Sequence, residues 1–157
     1  MFGRVVGCAL VLAMAGCGFS EGPTNANIAK SGGPTVDRAE QVVRDNARTV
    51  WPVAVRSFAV VRSGCRNNQS MMGYGPPWVL TLEQSLVDPP QDFVDSALAK
   101  LESMTERGFV REPDWSQIDD PANRSYTDGR GYRLTAYLDT AGPRTFRIAS
   151  VSPCATQ

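Results

Sequence analysis

Between residues 36 and 152 the apolar residues of this chain change their period several times, and each change states what kind of element can form there. Val36, Ala39, Val42, Val43, Ala47, Val50 and Trp51 recur at steps of mostly three and four, which lays one apolar stripe along a helix. Thr35 is placed to cap that helix and Pro52 to end it, because its ring lacks an N–H and clashes with a continued turn. Residues 58–65 are a short β-rich run, and residues 78–84 alternate Trp78, Leu80 and Leu82 against Val79, Thr81 and Glu83. Residues 66–77, between these runs, hold enough Gly and Pro to read as a connection. Residues 91–107 place Phe93, Val94, Ala97, Leu98, Leu101 and Met104 on one helical face. Asp92 and Asp95 sit early in that helix and Arg107 late, as its dipole favours, and Gly108 with Phe109 supplies a Schellman-type end. Residues 112–131 read as a long excursion, and residues 132–139 and 145–152 alternate about Ala141-Gly142-Pro143 as a hairpin.

Two stripes of helix and four half-buried strands predict an α+β fold: a two-layer sandwich with both helices on one face of a four-stranded antiparallel sheet, in the order α-β-β-α-β-β. A single domain over residues 35–157 accommodates this pattern. The other sheet face would show Val79, Thr81, Arg133, Thr135, Tyr137 and Arg147.

Ahead of that domain the chain carries an address. Residues 1–16 hold Arg4 followed by an apolar run of about eleven residues, the pattern of a secretory signal. A membrane span needs about 20 apolar residues, so the run is too short to stay as one. Met14-Ala15-Gly16-Cys17 resembles a lipoprotein lipobox, in which small residues let a peptidase reach the backbone before a cysteine that takes a diacylglycerol thioether. Val5-Val6-Gly7-Cys8 fits the short pattern too, but a cut there leaves almost no hydrophobic run, so Cys17 is the expected anchor. An ordinary signal peptide with Cys17 as a free or paired thiol is the alternative. Residues 18–34 are rich in Gly, Ser, Pro, Asn and Thr without an apolar period, the composition of a flexible tether reaching roughly 20–25 Å. The domain is expected to stand off the outer face of the cytoplasmic membrane on that tether.

Cys65 and Cys154 remain. In an exported chain they are expected to pair, closing most of the domain. A redox or metal role for them lacks a CxxC spacing and a further ligand set.

Histidine is absent, which excludes Ser-His-Asp and Cys-His catalysis and His-ligated metal sites. Sixteen basic and sixteen acidic residues cancel, which removes the electrostatic argument for a nucleic-acid partner. With Arg4 gone alongside the signal, 15 basic residues face 16 acidic ones and no net charge draws the domain to anionic lipid.

The order of these features resembles the small LppA-type lipoproteins of actinobacteria. The likeness consists of the lipobox ending at Cys17, the Gly/Ser/Pro segment, a first helix, Ser63-Gly64-Cys65, Pro76-Pro77-Trp78 leading into a strand, a helix ending at Gly108-Phe109, and Ser152-Pro153-Cys154. It implies an envelope lipoprotein and carries over no catalytic residue.

Three surfaces are candidates for function. Met71, Met72, Tyr74 and Trp78 lie on a Gly- and Pro-rich stretch, as a partner-binding lip or as a cover folded over the open end of the core. Arg133, Tyr137 and Arg147 would flank one another on the exposed sheet face, as an anion or carbohydrate platform or as solvated cross-strand pairs. Glu112, Asp114, Asp119, Asp120 and Asp128 gather acid without the one-three-five spacing of a calcium loop, so a solvated loop is expected and no metal. Asp119 with Asp120 or Glu112 is a conceivable carboxylate pair for glycoside hydrolysis, but Ser20, Ser63 and Ser150 sit in no nucleophile elbow and no phosphate-binding or cofactor motif occurs. The expected class is therefore a membrane-anchored binding or adaptor module with no cofactor, whose partners are the lipid bilayer through Cys17 and an envelope protein or small ligand. A structural part of the envelope is the alternative, and an enzyme the remotest.

Overall fold

The computed structural model describes residues 21–53, 59–68, 70, 72–113 and 121–157. The lipobox and Cys17 lie outside them, as do Met71, Asp114, Asp119 and Asp120. Helix α1 spans Asn25–Lys30, α2 Val36–Val50 and α3 Gln91–Ser103, the last continuing into a 3-10 turn over Met104–Arg107. Strands β1 (Val61–Asn67), β2 (Gly73–Val87), β3 (Phe109–Arg111), β4 (Arg124–Asp128), β5 (Arg133–Asp139) and β6 (Thr145–Val151) form one sheet in the order β1-β2-β6-β5-β4-β3. Every pairing is antiparallel.

The α+β class and the antiparallel sheet are as expected, while the strand count is corrected from four to six among the described residues. β3 and β4 come from the end of the second helical unit and from the stretch read as an excursion. β4 hides its alternation because its inward residues are Arg124, Tyr126 and Asp128, two of them charged. Both remain paired: Asp128 with Arg130, and Arg124 with Glu102 at 3.6 Å. The connection expected over residues 66–77 is corrected as well, since β2 already starts at Gly73 and runs 15 residues. Prolines are tolerated there because β1 is irregular opposite them, its register shifting between Gly64 and Arg66. Gly64 permits this close approach, since a Cβ on it would lie 1.8 Å from the carbonyl carbon of Tyr74. The peptide bonds Gly75–Pro76 and Pro76–Pro77 are cis.

Both expected helices form, as α2 and α3, with the second giving way to a 3-10 turn after Ser103; α1 corrects the helix count from two to three among the described residues and, with β3 and β4, replaces the expected α-β-β-α-β-β order. Thr35 caps α2, its hydroxyl accepting from the Arg38 N–H at 3.4 Å, and Gly108 closes the 3-10 turn in the left-handed region at φ 84°. α2 buries Val36, Ala39, Val43, Ala47 and Val50, and α3 buries Val94, Ala97 and Leu101, against Leu80, Leu82, Leu134, Ala136, Phe146 and Ile148 of the sheet. Trp51, Phe93 and Phe146 meet edge to face, with ring centroids 5.1 and 6.3 Å apart along that series, and join the end of α2 to α3 and β6.

The segment read as a flexible tether is built into the fold from Glu21 onward. Thr24 and Asn27 form a capping box on α1, and the Asn67 N–H donates to the Glu21 carbonyl at 3.0 Å. Pro34 is held by the chain's other end, its carbonyl accepting from the Thr156 N–H at 2.9 Å, while Val36 N–H donates to the Thr156 carbonyl at 2.8 Å. Composition misled here because polar residues that bury little can still spend their hydrogen bonds on the domain.

Candidate ligand cleft

The residues singled out from sequence fall into separate places. Cys65 and Cys154 are bonded to each other, with Cα atoms 6.0 Å apart. Trp78 packs against the core and pairs its backbone with Ala155. Tyr74 and Met72 are parted from it: Met72 is 63% exposed, and Tyr74 donates its hydroxyl to the Glu21 carboxylate at 3.3 Å while the Arg66 guanidinium lies 5.0 Å over its ring.

On the open sheet face Tyr137 stands directly across from Arg147 on β6, and Ser85 of β2 continues that row. Arg133 lies four residues along β5, about 13 Å away, so the three do not make one cluster. Each arginine has an acidic neighbour, Glu83 at 3.7 Å from Arg147 and Glu112 at 3.3 Å from Arg133. Glu112 also accepts from the Thr127 hydroxyl at 2.5 Å and the Ser125 hydroxyl at 2.8 Å. Those two hydroxyl bonds, with the Arg133 charge behind them, hold the Glu112 carboxyl below the ordinary glutamate range against a smaller opposing effect of burial. A depressed carboxylate stabilises the fold above its unfolded-state pKa, and that contribution is lost as pH falls through the lower, folded value. We expect a carboxyl 13C titration to find Glu112 ionising below the ordinary glutamate range, and Thr127→Val to move it upward. An unchanged midpoint in that variant would refute the hydroxyl as the leading cause.

The concave site lies elsewhere, where the α1–α2 connection, the β4–β5 turn and the C-terminal strand end converge. It is a cleft of 730 Å³ lined by residues including Ile28, Gly32, Gly33, Arg38, Val42, Arg130, Tyr132, Pro153 and Cys154. Arg38 reaches it from the first turn of α2, its Nη1 donating to Gln41 Oε1 at 2.8 Å. Arg130 reaches it from the β4–β5 turn, which Asp128 organises. Asp128 Oδ1 accepts from the backbone N–H groups of Arg130 and Tyr132, both at 2.9 Å. Its Oδ2 accepts from Arg130 Nε at 2.9 Å and Nη2 at 2.7 Å. The Asp128 side chain is 4% exposed and that of Arg130 61%, so a buried carboxylate aims an exposed guanidinium. The guanidinium also sits 5.1 Å over the Tyr132 ring.

Ile28, Val42, Tyr132 and Pro153 supply apolar surface to the same cleft. Burial pushes the Tyr132 phenol up, and although Arg130 and Arg38 pull the other way, the net shift is upward. Tyr132 is therefore a neutral hydrogen-bonding group at physiological pH. Arg38, and Arg130 held by its ion pair with Asp128, share the cleft with apolar side chains, an arrangement that can bind a carboxylate or phosphate that carries an apolar group.

Comparison with protein-family models, curated proteins and solved structures finds no match to this chain. The cleft was also outside the sequence reading. Asp128-Gly129-Arg130-Gly131 signals a tight turn between strands, and Ser31-Gly32-Gly33 a second one, but nothing in their order says that turns about a hundred residues apart share a cavity.

Proposed function

We propose that this chain is a lipid-anchored binding module on the outer face of the cytoplasmic membrane, and that its ligand is a small amphipathic anion held in the Arg38–Arg130 cleft. The observation that carries this reading is the Arg130 guanidinium, fixed by the buried Asp128 carboxylate at the margin of a 730 Å³ cleft with apolar lining. Asp128 occupies Nε and Nη2 and so fixes the guanidinium before binding, which lowers the ordering cost that a free arginine would add. The lipobox residues supply the reading of the anchor, and the LppA-type resemblance agrees with it.

The test is an amide NMR titration with octanoate and, separately, with inorganic phosphate. Octanoate is expected to shift the amides of Gly32, Gly33, Arg38, Arg130 and Tyr132 saturably and more tightly than phosphate. A charge-assisted hydrogen bond contributes about 1.5–3 kcal/mol, so Arg38→Gln and Arg130→Gln should each weaken binding about tenfold or more. Arg130→Gln keeps the backbone bonds to Asp128, so the turn survives. Saturable binding that ignores both substitutions would remove the cleft from the proposal.

A second reading, a structural part of the envelope, draws on the open sheet face, where Val61, Val87 and Val110 are 61%, 56% and 70% exposed. It predicts concentration-dependent self-association in sedimentation, lost when Val110 and Val87 become Lys.

A further inference from the structure

We infer that the tip of the β1–β2 hairpin rests on the outer leaflet of the bilayer, with Met72 and Tyr74 at the lipid–water boundary; the inference rests on Cys17 carrying the lipid. Only three residues separate Cys17 from Glu21, and a fully extended chain covers about 14 Å over those four Cα steps. Glu21 is not free to move outward. Its carbonyl accepts from Asn67 N–H at 3.0 Å, and its carboxylate accepts from the Arg66 guanidinium and from the Tyr74 hydroxyl. Gly22 follows so close to β1 that a Cβ on it would come within 2.7 Å of the Cys65 carbonyl oxygen. The point where the chain leaves the fold toward its anchor is thus the end of β1 and the start of β2, beside the hairpin tip. The roughly 20–25 Å stand-off of a 17-residue tether shrinks to the reach of the three residues 18–20.

The chemistry of the tip suits that position. Residues 66–78 contain no Asp or Glu, and the Glu21 carboxylate beside Tyr74 is paired with the Arg66 guanidinium, so this surface carries no uncompensated negative charge from those groups to be repelled by anionic headgroups. Asn68 closes the tip, its Oδ1 accepting from the Ser70 and Met72 N–H groups, both at 3.0 Å, which leaves Met72 63% exposed with no core to enter. Tyr74, 36% exposed, has the apolar ring and polar end that favour an interface. The opposite pole is the β5–β6 turn, because Val87, the last residue of β2, pairs with Thr145, the first of β6. The 15 residues of β2 separate the poles by about 45 Å.

The test uses full-length lipidated protein in phosphatidylglycerol–phosphatidylcholine vesicles whose acyl chains carry bromine. A bimane label is placed at the tip through Ser70→Cys or at the far pole through Gly142→Cys, where an added Cβ meets nothing within 4 Å. Quenching at position 70 is expected to exceed that at position 142 several-fold, and Met72→Asp to cut the position 70 signal by half or more while the protein still floats with the vesicles. Equal quenching at both positions in protein whose intact mass shows the lipid on Cys17 would overturn the docking and spare the anchor. Protein whose Cys17 carries no lipid mass would overturn both.

Discussion

Replacing Cys65 and Cys154 together by serine is expected to lower unfolding stability by about 4–5 kcal/mol, because the bridge closes a loop with a sequence separation of 89 and so removes much of the unfolded chain's freedom. For a domain of this size that loss is worth roughly 15–20 °C in the melting temperature. A calorimetric comparison of oxidised protein with the double variant reads it directly. The local role of the bridge adds to the effect. It ties β1 at the sheet edge to the C-terminal segment, and that segment in turn pairs Ala155 with Trp78 and Thr156 with Pro34. Without it, the edge strand and the C-terminal segment would be expected to open first, visible as faster amide exchange at residues 61–67 and 155–156 than at β5. A double variant with an unchanged melting temperature would refute the assignment of the bridge as a main stabiliser.

Phe146→Ala is expected to cost about 3–5 kcal/mol, the range for removing a buried aromatic whose cavity cannot collapse. Phe146 is fully buried on β6 and lies 6.3 Å, edge to face, from Phe93, which in turn meets Trp51 at 5.1 Å. Sheet, α3 and the end of α2 therefore all border the void, and their backbones are fixed by separate hydrogen-bond systems. Val110→Ala, at a site 70% exposed, is the control and should stay within about 0.5 kcal/mol. Urea unfolding of the two variants measures both values. With a total stability of about 5–15 kcal/mol usual for a domain, the loss of Phe146 or of the bridge leaves a fold near its threshold, and losing both should abolish it.

Helices α2 and α3 and the β5–β6 hairpin were legible because each carries an apolar period on one face and is bounded by a cap, a proline or a glycine. β2 was legible only from Trp78 onward, since Gly75, Pro76 and Pro77 violate ordinary strand composition and are accommodated by an irregular partner strand. β4 was illegible for another reason: its inward carboxylate, Asp128, is satisfied by a turn and an arginine that follow it, so the pattern reads polar where the structure is buried. Arg133 and Arg147 were correctly placed on the open face, and their acidic neighbours Glu112 and Glu83 are separated from them by 21 and 64 positions in sequence.

What the sequence determined by itself is what local chemistry controls. The α+β class, the antiparallel hairpin and the starts of α2 and α3 follow from periodicity and capping, and the expected pairing of Cys65 with Cys154 from reading residues 1–17 as a lipoprotein signal. The tertiary structure alone decided that residues 21–34 belong to the fold, that six strands of the described residues form the sheet, and that Arg38 and Arg130 line one cleft. Those outcomes depend on contacts between residues far apart in the chain, whose energies come from which surfaces the folded backbone brings within reach, and no local pattern of residues encodes that proximity.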